Sequence, residues 1–238
     1  MNAEDTRHRI VWHDLVTGAV PAAMRFYEDL LGWEYLIEHS TDFVWRSGEA
    51  DYPLIMADHE AHGGFVNPGI ETPSYWLPFV TVDEVDAAVE RATGLGGTIE
   101  RAPFDIPGVG RSAVLHDPDG AAICPFVPSH GYPQPKGLFT RDQLFGPASP
   151  DTAKFYAGLF GWEMAERRGH TALATAADSS GASGWIPWIA TADIDTAMSD
   201  ARSLDCEILL DSTHVEGTGH LAMIRAAIGG VFCLHETG

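Results

Sequence analysis

Apolar positions along the chain change period several times, and the changes mark its elements. Residues 10–17 alternate as a strand does. Ala23, Phe26, Tyr27, Leu30 and Leu31 then recur at spacings of three and four, which predicts a helix entered at Pro21 and closed by Gly32. Strands are expected at 33–38, 43–46, 54–57 and 64–66. The run Trp76–Val82 suits a buried strand. Asp83 is placed to cap a second helix with the stripe Val85, Ala88, Val89, Ala92 and Leu95, ended by Gly96-Gly97. Strands follow at 98–101, 111–116 and 121–126, the last two joined by the turn Asp117-Pro118-Asp119-Gly120.

The same pattern then returns. Phe26-Tyr27 through Gly32-Trp33 reappears 129 residues later as Phe155-Tyr156 through Gly161-Trp162. Trp76-Leu77-Pro78-Phe79-Val80 reappears 109 residues later as Trp185-Ile186-Pro187-Trp188-Ile189, and that offset holds to the end of the chain. The change of offset places a 20-residue deletion in the second copy between Trp162 and Trp185. A period this long indicates domain duplication rather than a solenoid. The expected architecture is α+β: four strand–helix–three-strand (βαβββ) units in two tandem domains, 1–130 and 131–238, the second shortened. In the second copy Ser149-Pro150-Asp151 makes a strong helix start, whereas Ala226-Ala227-Ile228-Gly229 replaces the acidic turn.

Composition narrows the partners. Asp plus Glu number 34 against 14 Lys plus Arg, a net charge of −20. Such a surface repels phosphate backbones and anionic membranes, so neither nucleic acid nor a membrane is an expected partner. No apolar run reaches the ~18–20 residues of a membrane span, and the polar start lacks a signal-peptide core. Cys124, Cys206 and Cys233 are odd in number and far apart, which points to a reduced, cytoplasmic protein. Oligomeric state stays open, a homodimer included.

The residues that repeat also carry a family resemblance. Trp12-His13-Asp14-Leu15, Phe26-Tyr27…Leu31-Gly32-Trp33, Val82-Asp83-Glu84-Val85-Asp86-Ala87-Ala88, Gly96-Gly97, Ile106-Pro107-Gly108-Val109-Gly110-Arg111 and Asp117-Pro118-Asp119-Gly120-Ala121 together resemble the vicinal oxygen chelate superfamily of glyoxalases, bleomycin-resistance proteins and extradiol dioxygenases. The chain is most similar to its two-domain glyoxalase-like branch. The resemblance implies sheets curled into a cup. It also implies, in the metalloenzymes, a divalent ion held by the first and last strands of each unit. At the implied ligand positions this chain has Leu77 and Cys124, and in the second copy Ile186 and Cys233. The first-strand position falls at Trp12, beside His13, and at Arg141 in the second copy. The usual ligand set is absent from both halves, so no metal or other cofactor is assigned.

The leading expectation is a small-molecule-binding protein without an assigned enzymatic step. A cup walled by Trp12, Trp45, Trp76, Phe79 and Phe126 would bind flat or apolar molecules by stacking and burial. Arg111, Arg141, Gln143 and Cys124 add polar contacts, the arginines as partners for a carboxylate. His13 and Asp14, adjacent on a strand, are the candidate acid–base residues. The alternative is a divalent-metal-dependent lyase, isomerase or dioxygenase with a shifted set built on His13 and a histidine of Asp58-His59-Glu60-Ala61-His62. That pentapeptide is otherwise a hairpin loop.

Overall fold

The computed structural model describes residues 7–41, 49–132, 134–147, 149–163 and 171–237. The predicted strand at 43–46 lies outside them. The chain is α+β and forms two compact units that interleave both sequence copies. Unit 1 comprises Met1–His13, Leu77–Gln134 and Pro147–Glu166; unit 2 comprises Asp14–Trp76, Pro135–Gly146 and Arg167–Gly238. The 130/131 boundary follows the repeat in the sequence, whereas these units follow packing.

In unit 1, β5 (Tyr75–Thr81), β8 (Ala122–Pro128), β7 (Gly110–His116) and β6 (Thr98–Ile106) lie side by side in that order. Helix α2 (Val85–Gly94) packs on β6, β7 and β8. Glu84, not Asp83, is its N-cap, accepting from the amides of Asp86 at 3.0 Å and Ala87 at 2.5 Å. The repeat carries the reason: the second copy has Ala192 at the position of Asp83 and the capping acid Asp193 at that of Glu84.

In unit 2, β11 (Glu207–Val215), β12 (Gly219–Arg225), β13 (Val231–Glu236) and β10 (Gly184–Thr191) repeat this arrangement, with β9 (Phe139–Phe145) added beside β10. Pairing keeps the offset of 109 residue by residue. Phe79 faces Cys124 as Trp188 faces Cys233, and Phe104 faces Ser112 as Thr213 faces Leu221. Even the two bulges in β6, after Ile99 and after Arg101, recur in β11 after Ile208 and Leu210. A one-residue slip would turn every side chain to the other face, so this agreement fixes both copies on one template.

Unit 2 also holds the hairpin ladder β2 (Glu34–Thr41), β3 (Glu49–Ala57) and β4 (Glu60–Val66), the last neighbouring β1 (Ile10–Val16). The predicted strand at 33–38 therefore extends through residue 41, and those at 54–57 and 64–66 begin earlier.

The helices are paired alike in the two units. Helix α3 (Pro150–Phe160) packs on α2, and α1 (Val20–Leu31) packs on α5 (Ile194–Ser203). Each of α1 and α3 ends on a left-handed glycine, Gly32 and Gly161, as the repeat predicts. After that glycine, Trp162 stacks on Tyr156 and Trp33 stacks on Tyr27.

The anchor beneath α3 is specific. Asp117 is 3% exposed. Its Oδ1 accepts from the amides of Asp119 and Ala121, both at 2.9 Å, and its Oδ2 accepts from the Tyr156 hydroxyl at 2.9 Å. Asp119 in turn accepts from the Ser149 amide at 2.7 Å, at the N-cap of α3. In the second copy the turn persists without the acid. Gly229 donates to the carbonyl of Ala226 at 2.8 Å, so replacing the acidic residues does not abolish the turn: backbone bonds and the left-handed Gly229 suffice to close it.

The Ser149 amide holds the Asp119 carboxyl below the usual carboxylate range. A carboxyl depressed on folding contributes stability above its unfolded value, ~3.9, and loses it as pH falls through the lower folded value. Asp119→Ala is therefore expected to lower the melting temperature at pH 6, with the gap to wild type closing below about pH 4. Thermal scans from pH 3 to 7 read this directly. A gap constant with pH would contradict it.

The third unit departs from the predicted three strands. Where the first βαβββ unit of the sequence has β2 to β4, the described residues of the third such unit hold helix α4 (Thr171–Ser180). The segment that remains is alanine-rich, the composition of a helix.

Candidate functional site: one sheet face in two states

In unit 2 both faces of the β10–β13 sheet are accounted for. Ile189, Ala222, Ile224, Phe232 and Leu234 form a core with α5 and α1. The opposite face, Ile186, Trp188, Leu221, Met223 and Cys233, packs against Leu173, Ala176 and Ala177 of α4. Helix α4 thus closes the face that the repeat equates with a cup. Leu173 and Trp188 are both fully buried there. Burial pushes the Cys233 thiol well above its ordinary pKa, which keeps it protonated.

Arg141 and Gln143 pair with Trp188 and Ile186 across β9 and β10 and so belong to this closed face. The Arg141 guanidinium lies 4.7 Å over the Trp188 ring.

The equivalent face in unit 1 carries different side chains. The offset matches Leu77, Phe79, Ser112, Val114 and Cys124 to the closed set. Cys124 and Val114 are fully buried, and Phe79 and Phe126 are 4% and 6% exposed. The Phe79 and Phe126 rings meet edge to face at 5.9 Å. The Ser112 hydroxyl donates to the carbonyl of Pro125 at 3.0 Å. By the repeat, α2 takes the opposite face, as α5 does in unit 2, and α3 packs on α2; the side chains of the Phe79–Phe126 face are themselves buried. Exposure rises toward β6, where Arg101 and Phe104 are half-buried.

The remaining predicted residues are dispersed. Trp76 belongs to the helix-side core of unit 2, edge to face with Trp33 at 6.3 Å and Phe139 at 5.5 Å. It also borders an open cleft of about 1120 Å³ lined by Thr17, Ser74, Trp185, Arg225 and Gly229. The cleft's Arg225 is already bonded to Glu207 and to the Ser180 carbonyl.

Arg111 grips Asp86 through two nitrogens, at 2.8 and 3.0 Å, and Asp105 at 2.9 Å, a set of surface ion pairs. Trp12 is half-buried on β1. His13 and Asp14 are buried but consecutive on β1, so their side chains leave opposite faces. Asp14 accepts from the Tyr52 hydroxyl at 2.6 Å. That contact was not read from the sequence; Gly64 hints at it, since a Cβ there would sit 2.2 Å from the Tyr52 ring. Trp45 lies outside the described residues.

Residues 9–124 match the family described as the Glyoxalase/Bleomycin resistance protein/Dioxygenase superfamily. The resemblance read from the sequence is borne out over these residues, just under half of the chain. It is 33% identical over 121 residues to "Putative glyoxylase CFP32" of Mycobacterium tuberculosis, and 36% identical over 129 residues to "Anthracycline biosynthesis protein DnrV" of Streptomyces peucetius. These matches cover 50% and 53% of this chain and 44% of each relative, so the matched region spans less than half of either relative.

Among solved structures, the Mn(II)-bound glyoxalase of Novosphingobium aromaticivorans matches with a TM-score of 0.59 at 13% identity, over 95% of this chain and 81% of that one. The 2,2',3-trihydroxybiphenyl 1,2-dioxygenase of Sphingomonas wittichii matches with a TM-score of 0.59 at 12% identity, over 98% and 91%. At these identities the shared property is the fold.

The donor set does not follow the one the resemblance implies. Beside the first-strand positions Trp12 and Arg141, the positions implied for ligands hold Leu77, Ile186, Cys124 and Cys233, these four buried on their strands. Two are hydrocarbon and two are cysteines in apolar surroundings, which does not fit a hard divalent ion. Among the described residues, no three His, Cys, Asp or Glu side chains converge. Asp58 and His59, both at positive φ, form the β3–β4 turn, and Glu60, Ala61 and His62 begin β4; His62 is buried beside the Ala57 carbonyl at 3.2 Å. No described helix is long and apolar enough to cross a membrane.

Proposed function

We propose that the chain binds a small aromatic molecule on the unit 1 face formed by Leu77, Phe79, Ser112, Val114, Cys124 and Phe126. One observation carries the reading. The equivalent face of the second copy is closed by α4, with Trp188, Leu221 and Met223 buried beneath Leu173 and Ala177, while the first copy keeps two phenylalanines and a serine. Edge-to-face aromatic walls favour insertion of a flat ring, each good aromatic contact adding about 0.5–1.5 kcal/mol beyond area burial. The name of the Streptomyces relative, an anthracycline biosynthesis protein, supports an aromatic ligand. No reaction step is assigned, because these ligand positions hold hydrocarbon side chains and buried cysteines in place of carboxylate or imidazole.

Fluorescence titration with a neutral probe, 2-naphthylmethanol, tests this. Saturable binding is expected, weakened at least fivefold by Phe79→Leu or Phe126→Leu in protein that keeps its wild-type circular dichroism spectrum. Absence of saturable binding, or binding unchanged by both substitutions, would overturn the proposal.

A further inference from the structure

The two copies differ most tellingly at one position on β6 and β11. Leu210 lies opposite Met223 and packs against the closed core beneath α4. Its equivalent in the first copy is Arg101, opposite Val114. Among the described residues, the Arg101 Nη1 atom is buried and has no hydrogen-bond partner. The guanidinium stacks on the Phe104 ring at 4.0 Å.

A guanidinium nitrogen withheld from water with no acceptor is costly, and native structures leave few such groups unexplained. A chain with a net charge of −20 has acids to spare, and Arg111 on the next strand takes two of them. Arg101 takes none. Stacking on Phe104 fixes the plane of its fork, the geometry a carboxylate meets with two parallel hydrogen bonds. Burial also lowers the pKa of Arg101, and the nearby Cys124 is the opposing influence. An anion beside the guanidinium would reverse that cost.

We infer that Arg101 anchors the carboxylate of a small aromatic acid whose ring lies on the Phe79–Phe126 face. The inference rests on the ligand-binding face proposed above and narrows its ligand class to anionic aromatics. Arg101 here is a binding residue, and no covalent step is involved.

The test compares 2-naphthoate with 2-naphthylmethanol on the full chain by calorimetry at low salt. Wild type is expected to bind the acid at least tenfold more tightly than the alcohol, with the preference shrinking as salt rises. Arg101→Leu, which installs the second copy's own residue, is expected to abolish the preference and keep affinity for the alcohol. Arg101→Gln, which retains polarity and length, should do the same if the leucine variant folds poorly. Equal affinity of wild type for both probes overturns the role of Arg101 and leaves the aromatic face standing. A preference that survives both substitutions does likewise. Failure of both probes to bind overturns the face and the anchor together.

Discussion

Asp117→Ala is expected to be among the most damaging single substitutions in unit 1. It removes two amide acceptors from the turn and strands the buried Tyr156 hydroxyl. Hydrogen bonds to a charged group contribute roughly 1.5–3 kcal/mol, and a buried polar group left unpaired costs about 1–3 kcal/mol. The terms overlap, so we expect a loss of about 3–5 kcal/mol, or roughly 10 °C in melting temperature for a chain of this size.

The position has an internal control. Its equivalent, Ala226, closes the same turn with backbone bonds alone, so the turn itself does not demand the acid. What Asp117 adds is the tie to α3. Loss of protection at the amides of α3 should therefore accompany the drop in stability, and Asp117→Asn, which keeps acceptor capacity, should recover part of it. A melting temperature within 2–3 °C of wild type for Asp117→Ala would refute this role.

The second large effect is expected at Leu173→Asp. Leu173 is fully buried between α4 and the second-copy face. Truncating a buried leucine costs about 2–5 kcal/mol, and an unpaired carboxylate cannot remain in that core. Helix α4 should come off its sheet, exposing Trp188, Leu221 and Met223. Binding of a hydrophobic dye should rise, and proteolysis should cut within 171–180. Leu173→Met, close in volume, should cost under about 1.5 kcal/mol and leave α4 docked. Because the altered helix belongs to unit 2, binding of 2-naphthylmethanol to the unit 1 face should persist. An unaltered protease pattern would show that α4 does not close this face.

Much of the architecture was legible because the chain states it twice. Two offsets located the matched helices and strands, and the shift between them located the deletion. The structure keeps these offsets down to individual cross-strand pairs. What fills the deletion was not legible. The segment Thr171–Ser180 has weak periodicity, and only packing against Trp188 and its neighbours reveals its task. The interleaving of the two copies in each unit was also hidden, since it depends on contacts such as Tyr156 with Asp117, which are remote in sequence.

The candidate site was read in part. Phe79, Cys124 and Phe126 share the expected face, because strict alternation on β5 and β8 exposes their parity. Trp76 was read as a wall, yet it lies on β5 at odds with the parity of Phe79 and joins the helix-side core. Arg101 went unnoticed because two bulges break the alternation of β6, so its face follows from cross-strand register alone.

Counting the binding sites tests the central claim most directly. Calorimetric titration of the full chain with 2-naphthoate should return one site per chain, since one copy presents an aromatic face and α4 shuts the other. Two equivalent sites, or none, would contradict the account.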